Sequence, residues 1–246
     1  MRKIFFTAVM AFATLTANAQ LMRTEELETY AKDKYGDKWT EAAENLAATL
    51  SLDKNNSLTY TEVIPCEGAT KSQLYVILNY WFTASFNDAN SVIKLNDKET
   101  GTIIASGYIS DVAAHAGGAN SYRVDVHPLI KVDIKDEKIR VTYTVQAYNV
   151  EILKGGGALM VALAGTKNIT KAKETWTLEN CFPFAEKDKH KKISSKALIM
   201  THAYSNVMMD KIKEAVQNGL SHAETRYQGT GLKVFLCRPI CADQNI

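Results

Sequence analysis

The chain has 246 residues, 46% of them apolar and 23% charged, an ordinary globular composition long enough for one sizeable domain or two small ones. Its 29 basic and 27 acidic side chains give a net charge of +2, and Arg2 and Lys3 account for that surplus. A nucleic-acid binder carries a basic excess that releases counterions from phosphate, so this balance argues against nucleic acid as a partner.

Met1-Arg2-Lys3 is a short basic start, Ile4 to Leu15 is apolar, and Ala17-Asn18-Ala19 places small residues at the −3 and −1 positions of a cut between Ala19 and Gln20. Residues 1–19 therefore read as a secretory signal peptide. Its apolar core falls short of the roughly 20 residues that span a bilayer. No cysteine follows the cut to carry a lipid, so no stable membrane anchor is expected. Export argues against chemistry with ATP or NAD, and no cofactor is expected.

Residues 20–57 read as an amphipathic helical arm. Thr24 precedes Glu25 and Glu26, and Leu27, Tyr30 and Ala31 recur at helical spacing. Gly36-Asp37 interrupts the pattern, which resumes as Trp39, Ala42, Ala43, Leu46, Ala47 and Leu50. The arm is expected to dock on the main domain, since Trp39 and the leucines need burial.

Leu58 to Ile64 is rich in β-branched and aromatic residues and predicts a strand ending at Pro65. Thr70 and Gln73 form a capping box, and the helix behind them carries Leu74, Ile77, Leu78, Trp81, Phe82 and Phe86 on a stripe. Val92–Leu95 and 102–109 flank a polar turn and read as a hairpin. Tyr122, Val124, Val126, Ile130, Val132 and Ile134 alternate with polar residues, with a bulge or break at Pro128. After a turn, Ile139, Val141, Tyr143, Val145 and Ala147 alternate again. Period two with one apolar face means antiparallel strands covered on one side and wet on the other. The expected fold class is α+β: a curved antiparallel sheet of about five strands, helices on one face, plus the N-terminal arm.

Leu58 to Val150 resembles a domain-of-unknown-function family with a TBP-like fold, found mostly in exported Gram-negative proteins. The likeness rests on Thr61-Glu-Val-Ile-Pro65, Lys71-Ser-Gln-Leu-Tyr75, Asn79-Tyr-Trp-Phe82, Asp97-Lys-Glu-Thr-Gly101 and the closing hairpin. It implies the TBP-like fold over about 58–150, or 58–220 if a later helix completes it. These motifs are structural, so the resemblance transfers no functional residue.

From 151 to 193 the chain reads as an irregular insertion. Gly155-Gly156-Gly157 opens the apolar run Ala158–Ala164, read as a buried strand, with a surface loop dipping into a partner or membrane as the alternative. Lys187 to Lys192 reads as part of a solvated charged loop. Ser194 or Ser195 is expected to cap a helix through about Asn218, with Gly219 at its end. Residues 221–246 read as a last strand, Leu232–Leu236, and a tail holding Cys237 and Cys241. Export permits disulfides. Two readings stand open: Cys237 with Cys241 and Cys66 with Cys181, or all four thiols free and partly buried.

The motifs of nucleophile elbows, zinc hydrolases, Cys-x-x-Cys sites and phosphate loops are all missing from the sequence, and no metal ligand set is expected. Ser91/Lys94 and Ser51/Lys54 have Ser-x-x-Lys spacing without companion motifs. The one polar constellation is Arg123, Asp125 and His127 with Arg140, expected on the wet sheet face as an anion site, against the plainer reading of a solvated surface. The sequence thus points to a non-enzymatic envelope protein binding a protein, peptide or glycan through the open sheet face or the 111–121 and 151–192 loops. The alternative is an extracytoplasmic hydrolase or lyase with a composite site at His127 or His115.

Overall fold

A computed structural model describes residues 21–86, 92–166 and 169–229. The signal-peptide reading, the strand at 232–236 and Cys237 and Cys241 lie outside the described residues.

The arm forms two helices, α1 (Thr24–Tyr35) and α2 (Trp39–Ala47). They part at Gly36, whose φ of +89° suits a residue without a Cβ. Leu27, Ala31, Ala42 and Ala43 are buried against the long helix α5 (Lys191–Gly229). Lys196 pairs with Glu28 at 2.7 Å, Asn206 donates to the Tyr35 hydroxyl at 2.8 Å, and Thr24 donates to the Ser110 carbonyl at 2.9 Å. The arm is therefore docked.

Between arm and long helix, in chain order, come the nine strands found among the described residues. A five-strand antiparallel sheet runs β1 (Leu58–Pro65), β7 (Lys138–Val145), β6 (Leu129–Lys135), β3 (Thr102–Ser106), β2 (Ile93–Asp97). A four-strand antiparallel sheet runs β4 (Ile109–Ala116), β5 (Asn120–Val126), β8 (Ala147–Lys154), β9 (Thr170–Thr177). The chain passes between the sheets at three neighbouring places: Gly107-Tyr108, His127-Pro128 and Gln146. Pro128 has no N–H for a ladder, so the alternation breaks there, and its carbonyl accepts from Gly107 N at 2.8 Å. A Cβ on Gly107 would lie 3.0 Å from the Pro128 ring, which keeps this corner tight.

Register follows the hydrophobic alternation. Val124, Val132, Val141 and Tyr143 are fully buried, as are Val126, Ile130 and Ile139. Helix α3 (Lys71–Ser85) begins with both hydrogen bonds of the Thr70/Gln73 capping box and buries Leu74, Leu78 and Phe82. Together these make an α+β architecture, with helices packed on antiparallel sheets.

Three local expectations fail for physical reasons. The stretch 151–193 is not irregular: β8 runs to Lys154, a short helix α4 spans Ala158–Ala164, and β9 forms an edge strand. Strand β9 hides from pattern reading because its exposed Lys171, Lys173 and Glu174 interrupt any apolar alternation, as suits a sheet edge. The run Ala158–Ala164 is neither a strand nor buried, for Leu159 and Leu163 stand in solvent. Helix α5 starts at Lys191, before Ser194, and continues past Gly219. Gly219 serves packing instead: a Cβ there would lie 2.8 Å from Ile77 of α3. No helix among the described residues is long and apolar enough to cross a membrane.

Candidate functional site

The corner between the sheets takes apart the constellation expected from the sequence. Arg140 stays in the five-strand sheet and pairs with Asp133 at 2.7 Å. Arg123 and Asp125 lie on β5 in the other sheet, and His127 lies just past it. Arg123 pairs with Asp111 at 2.7 Å, Asp125 accepts from Tyr108 Oη at 3.1 Å and from Asp111 N at 2.8 Å, and His127 Nδ1 meets the Asn149 amide at 2.7 Å. The His127 ring also lies 4.8 Å from Tyr108. Burial, helped by the Asp125 carboxylate, pushes the Tyr108 phenol up to about 12. Asp111 sits in the β4 bulge at φ +54°, and burial raises its carboxyl against the pull of Arg123. Each group in this cluster has a partner. The cluster braces the bulge, and Arg140 takes no part in it.

The cysteines divide similarly. Cys66 lies past the Pro65–Lys138 end of the β1/β7 pair, where its N donates to Glu137 O at 2.8 Å. Cys181 follows the 3-10 turn Leu178–Asn180 beyond the other end of β7. Strand β7 spans about 23 Å at 3.3 Å per residue, whereas a disulfide needs Cα atoms within about 7 Å. Cys66 and Cys181 are accordingly free and buried, not paired with each other.

A different set of residues comes together at one end of the four-strand sheet. The β4–β5 turn and the start of α5 enclose a groove of about 450 Å3. His115, Asn120 and Tyr122 line one wall; Lys189, His190 and Lys192 line the other. His190 also borders an adjoining cavity of about 250 Å3 beside Trp176, Asn180, Cys181 and Asp188. Its ring stacks on Trp176 at 4.6 Å and 14°, and tilts against Tyr122 at 4.9 Å.

Backbone and carboxylate bonds hold this wall in place. Asp188 accepts from His190 N at 2.7 Å, from Phe182 N at 2.9 Å and from the Ser194 hydroxyl, so it ties the preceding loop to the first turn of α5. Lys191 also lines the groove, but its ammonium is engaged: it pairs with Glu44 at 3.0 Å and lies 3.9 Å over the Phe182 ring. Lys189, Lys192 and His115 are exposed, and no carboxylate lines the larger groove. Burial, then the Asp188 carboxylate, pushes the Cys181 thiol up to about 12, so it is not a ready thiolate. Among the described residues no group of His, Cys, Asp and Glu is arranged to hold a metal ion.

Spacing gave no hint of His190, Trp176 or Tyr122 acting together. The only foretaste was His115 before a glycine turn and a lysine run at 187–192, and the structure sets these two stretches face to face.

An antiparallel β layer folded across a corner, with helices packed on it, puts the chain in the α+β class. Residues 60–149 match the family model described as "Domain of unknown function (DUF4468) with TBP-like fold". Two solved structures are similar. A TBP-like protein from Parabacteroides distasonis ATCC 8503 is 14% identical, covering 68% of this chain and 96% of its own, with a TM-score of 0.44. A DUF4468 family protein from Bacteroides ovatus ATCC 8483 is 14% identical, covering 67% of this chain and 88% of its own, with a TM-score of 0.43. No curated protein matches the chain. The groove draws His190 and the lysines from outside the matched segment, and His115 and Tyr122 from inside it.

Proposed function

We propose that the protein is exported and works in the cell envelope as a binding protein rather than an enzyme. It takes a ligand bearing a carboxylate or phosphate in the groove between the β4–β5 turn and the start of α5. One observation carries this reading: Lys189, Lys192 and His115 converge on a cavity of about 450 Å3 with no acidic side chain in its wall. Two ammonium groups facing one concave volume attract an anion more strongly than scattered surface lysines do. Asn120 and Tyr122 add the amide and the ring that orient a small polar ligand. Export is supported by the leader pattern of residues 1–19.

The groove is tested by NMR titration of the chain from Gln20 with inorganic phosphate and with glucuronate, at matched ionic strength in chloride. Saturable shifts are expected at His115, Asn120 and Lys192, weakened at least about fivefold by Lys189→Gln with Lys192→Gln. Two charge-assisted contacts of about 1 kcal/mol each would give that much. Shifts equal to those from chloride, or unaffected by the two substitutions, would refute an anion site. Export is tested by N-terminal sequencing of protein recovered from the periplasm or medium, where Gln20 is the expected first residue. Recovery of intact Met1 protein in the cytosol would refute it.

A further inference from the structure

Helix α4 is made wholly of apolar residues, Ala158-Leu-Met-Val-Ala-Leu-Ala164, and yet it lies on the surface. Leu163 is 75% exposed, Leu159 59% and Met160 39%. Single exposed leucines are common on folded proteins, but three large apolar side chains on one seven-residue helix form a patch. The helix is rigidly presented. Gly157 N donates to Ala119 O at 3.1 Å, Ala158 N to Gly117 O at 2.9 Å and Met160 N to Gly118 O at 3.1 Å. Positive φ at Gly155 and Gly165 turns the chain sharply at either side.

The turn that clasps α4 is the same turn that lines the groove. The apolar patch, the cationic side chains of Lys189 and Lys192 and the ring of His115 therefore share one end of the four-strand sheet. Exposed Lys154 sits there as well, at the end of β8 opposite Asn120. The nearby carboxylates are engaged: Glu151 pairs with Lys171 at 3.4 Å, and Glu174 accepts from Trp176 Nε1 at 3.0 Å. Apolar side chains bordered by lysines are complementary to an anionic membrane surface, which offers hydrocarbon beneath a layer of phosphates.

We propose that this end of the molecule docks reversibly on an anionic lipid bilayer. Helix α4 lies in the interface with Leu159, Met160 and Leu163 among the acyl chains, and Lys154, Lys189 and Lys192 at the phosphates. At about 1.5 Å per residue the helix is about 10 Å long, so it rests in one leaflet and does not span. The inference shares Lys189 and Lys192 with the proposed anion site, but the insertion rests on α4.

The test is co-sedimentation of the chain from Gln20 with vesicles of phosphatidylglycerol mixed with phosphatidylcholine, and with phosphatidylcholine alone. Binding is expected to the anionic vesicles and to weaken with salt. Leu159→Ser with Leu163→Ser should lower it at least about tenfold while leaving the melting temperature and the phosphate response of the groove unchanged. Lys189→Gln with Lys192→Gln should lower vesicle binding about tenfold and the phosphate response too. Vesicle binding that survives the leucine substitutions would overturn the insertion. Absence of vesicle binding with the phosphate response intact would overturn the membrane proposal and leave the groove reading standing. Self-association abolished by the same leucine substitutions, without vesicle binding, would make a second copy the occupant and overturn the proposal likewise.

Discussion

The presentation of α4 depends on one glycine, and replacing it has a calculable effect. A Cβ on Gly157 would fall 2.4 Å from Gly117 O and 2.6 Å from both Gly118 C and Ala119 C. All three are backbone atoms of a tight turn, so no side chain can swing aside to make room. Gly157→Ala must therefore push α4 away from the turn, by about 1 Å to restore ordinary contact distances. That displacement loosens the three hydrogen bonds from Gly157, Ala158 and Met160. At about 1 kcal/mol net for each bond, the expected loss is about 2–4 kcal/mol locally. Gly118→Ala is the control. Nothing lies within 4 Å of a Cβ there, and its φ is not in the left-handed region. Its effect should stay within about 0.5 kcal/mol. Native-state hydrogen exchange reads the local effect directly: amides 157, 158 and 160 should exchange about 30-fold or more faster in Gly157→Ala and at the parent rate in Gly118→Ala. Equal exchange in the two variants would refute the claim that α4 is held by close backbone approach.

Two further outcomes concern the interface between the sheets and α5. Tyr143 is fully buried, 6.0 Å from the Tyr60 ring and 6.3 Å from Tyr204, and its hydroxyl has no hydrogen-bond partner among the described residues. Tyr143→Phe should raise stability by about 1 kcal/mol, or about 2–4 °C in melting temperature, and a loss of that size would show the hydroxyl to be bonded in solution. His202 lies between Tyr35 at 5.4 Å and Tyr60 at 5.2 Å, and burial, with Lys34 nearby, lowers it to about 4. It stays neutral in the fold while the unfolded chain protonates near 6.5, so the unfolded state binds more protons below that pH. Stability should therefore fall as pH drops from about 6.5 to about 4. The loss should be about 2 kcal/mol, after discounting for the part of the ring that solvent reaches. Urea midpoints across that range should fall less steeply in His202→Gln, and identical slopes would refute the assignment.

Elements whose signal is local were legible in the sequence. Thr70 and Gln73 announce α3 because a capping box needs only neighbouring residues. Val124, Val132, Val141 and Tyr143 could be assigned to the buried face because strand alternation is a property of consecutive positions. Gly36 and Pro128 mark their breaks by what they lack, a Cβ and an N–H. Partition into two sheets was not legible. Alternation says which side of a strand is greasy, but not which strand lies beside it, and the corner at Gly107, Pro128 and Gln146 gives one ribbon two sets of neighbours.

That corner also explains why the expected site dissolved and another formed. Arg123, His127 and Arg140 look like companions as long as β5 and β6 are one strand, since period two would set them on one face. The β6/β7 hairpin register then sets Arg140 opposite Asp133, six positions along the chain from His127, and the two pair there. The same turn of the chain leaves the β4–β5 hairpin projecting at the far end of the four-strand sheet, where the start of α5 comes back to meet it. His115 and His190 then share a groove although 75 positions apart in the chain. A cluster of this kind carries no spacing motif, because its geometry is set by where the strands swap sheets. Function is accordingly better sought at the hairpin end of the four-strand sheet than along its alternating strands.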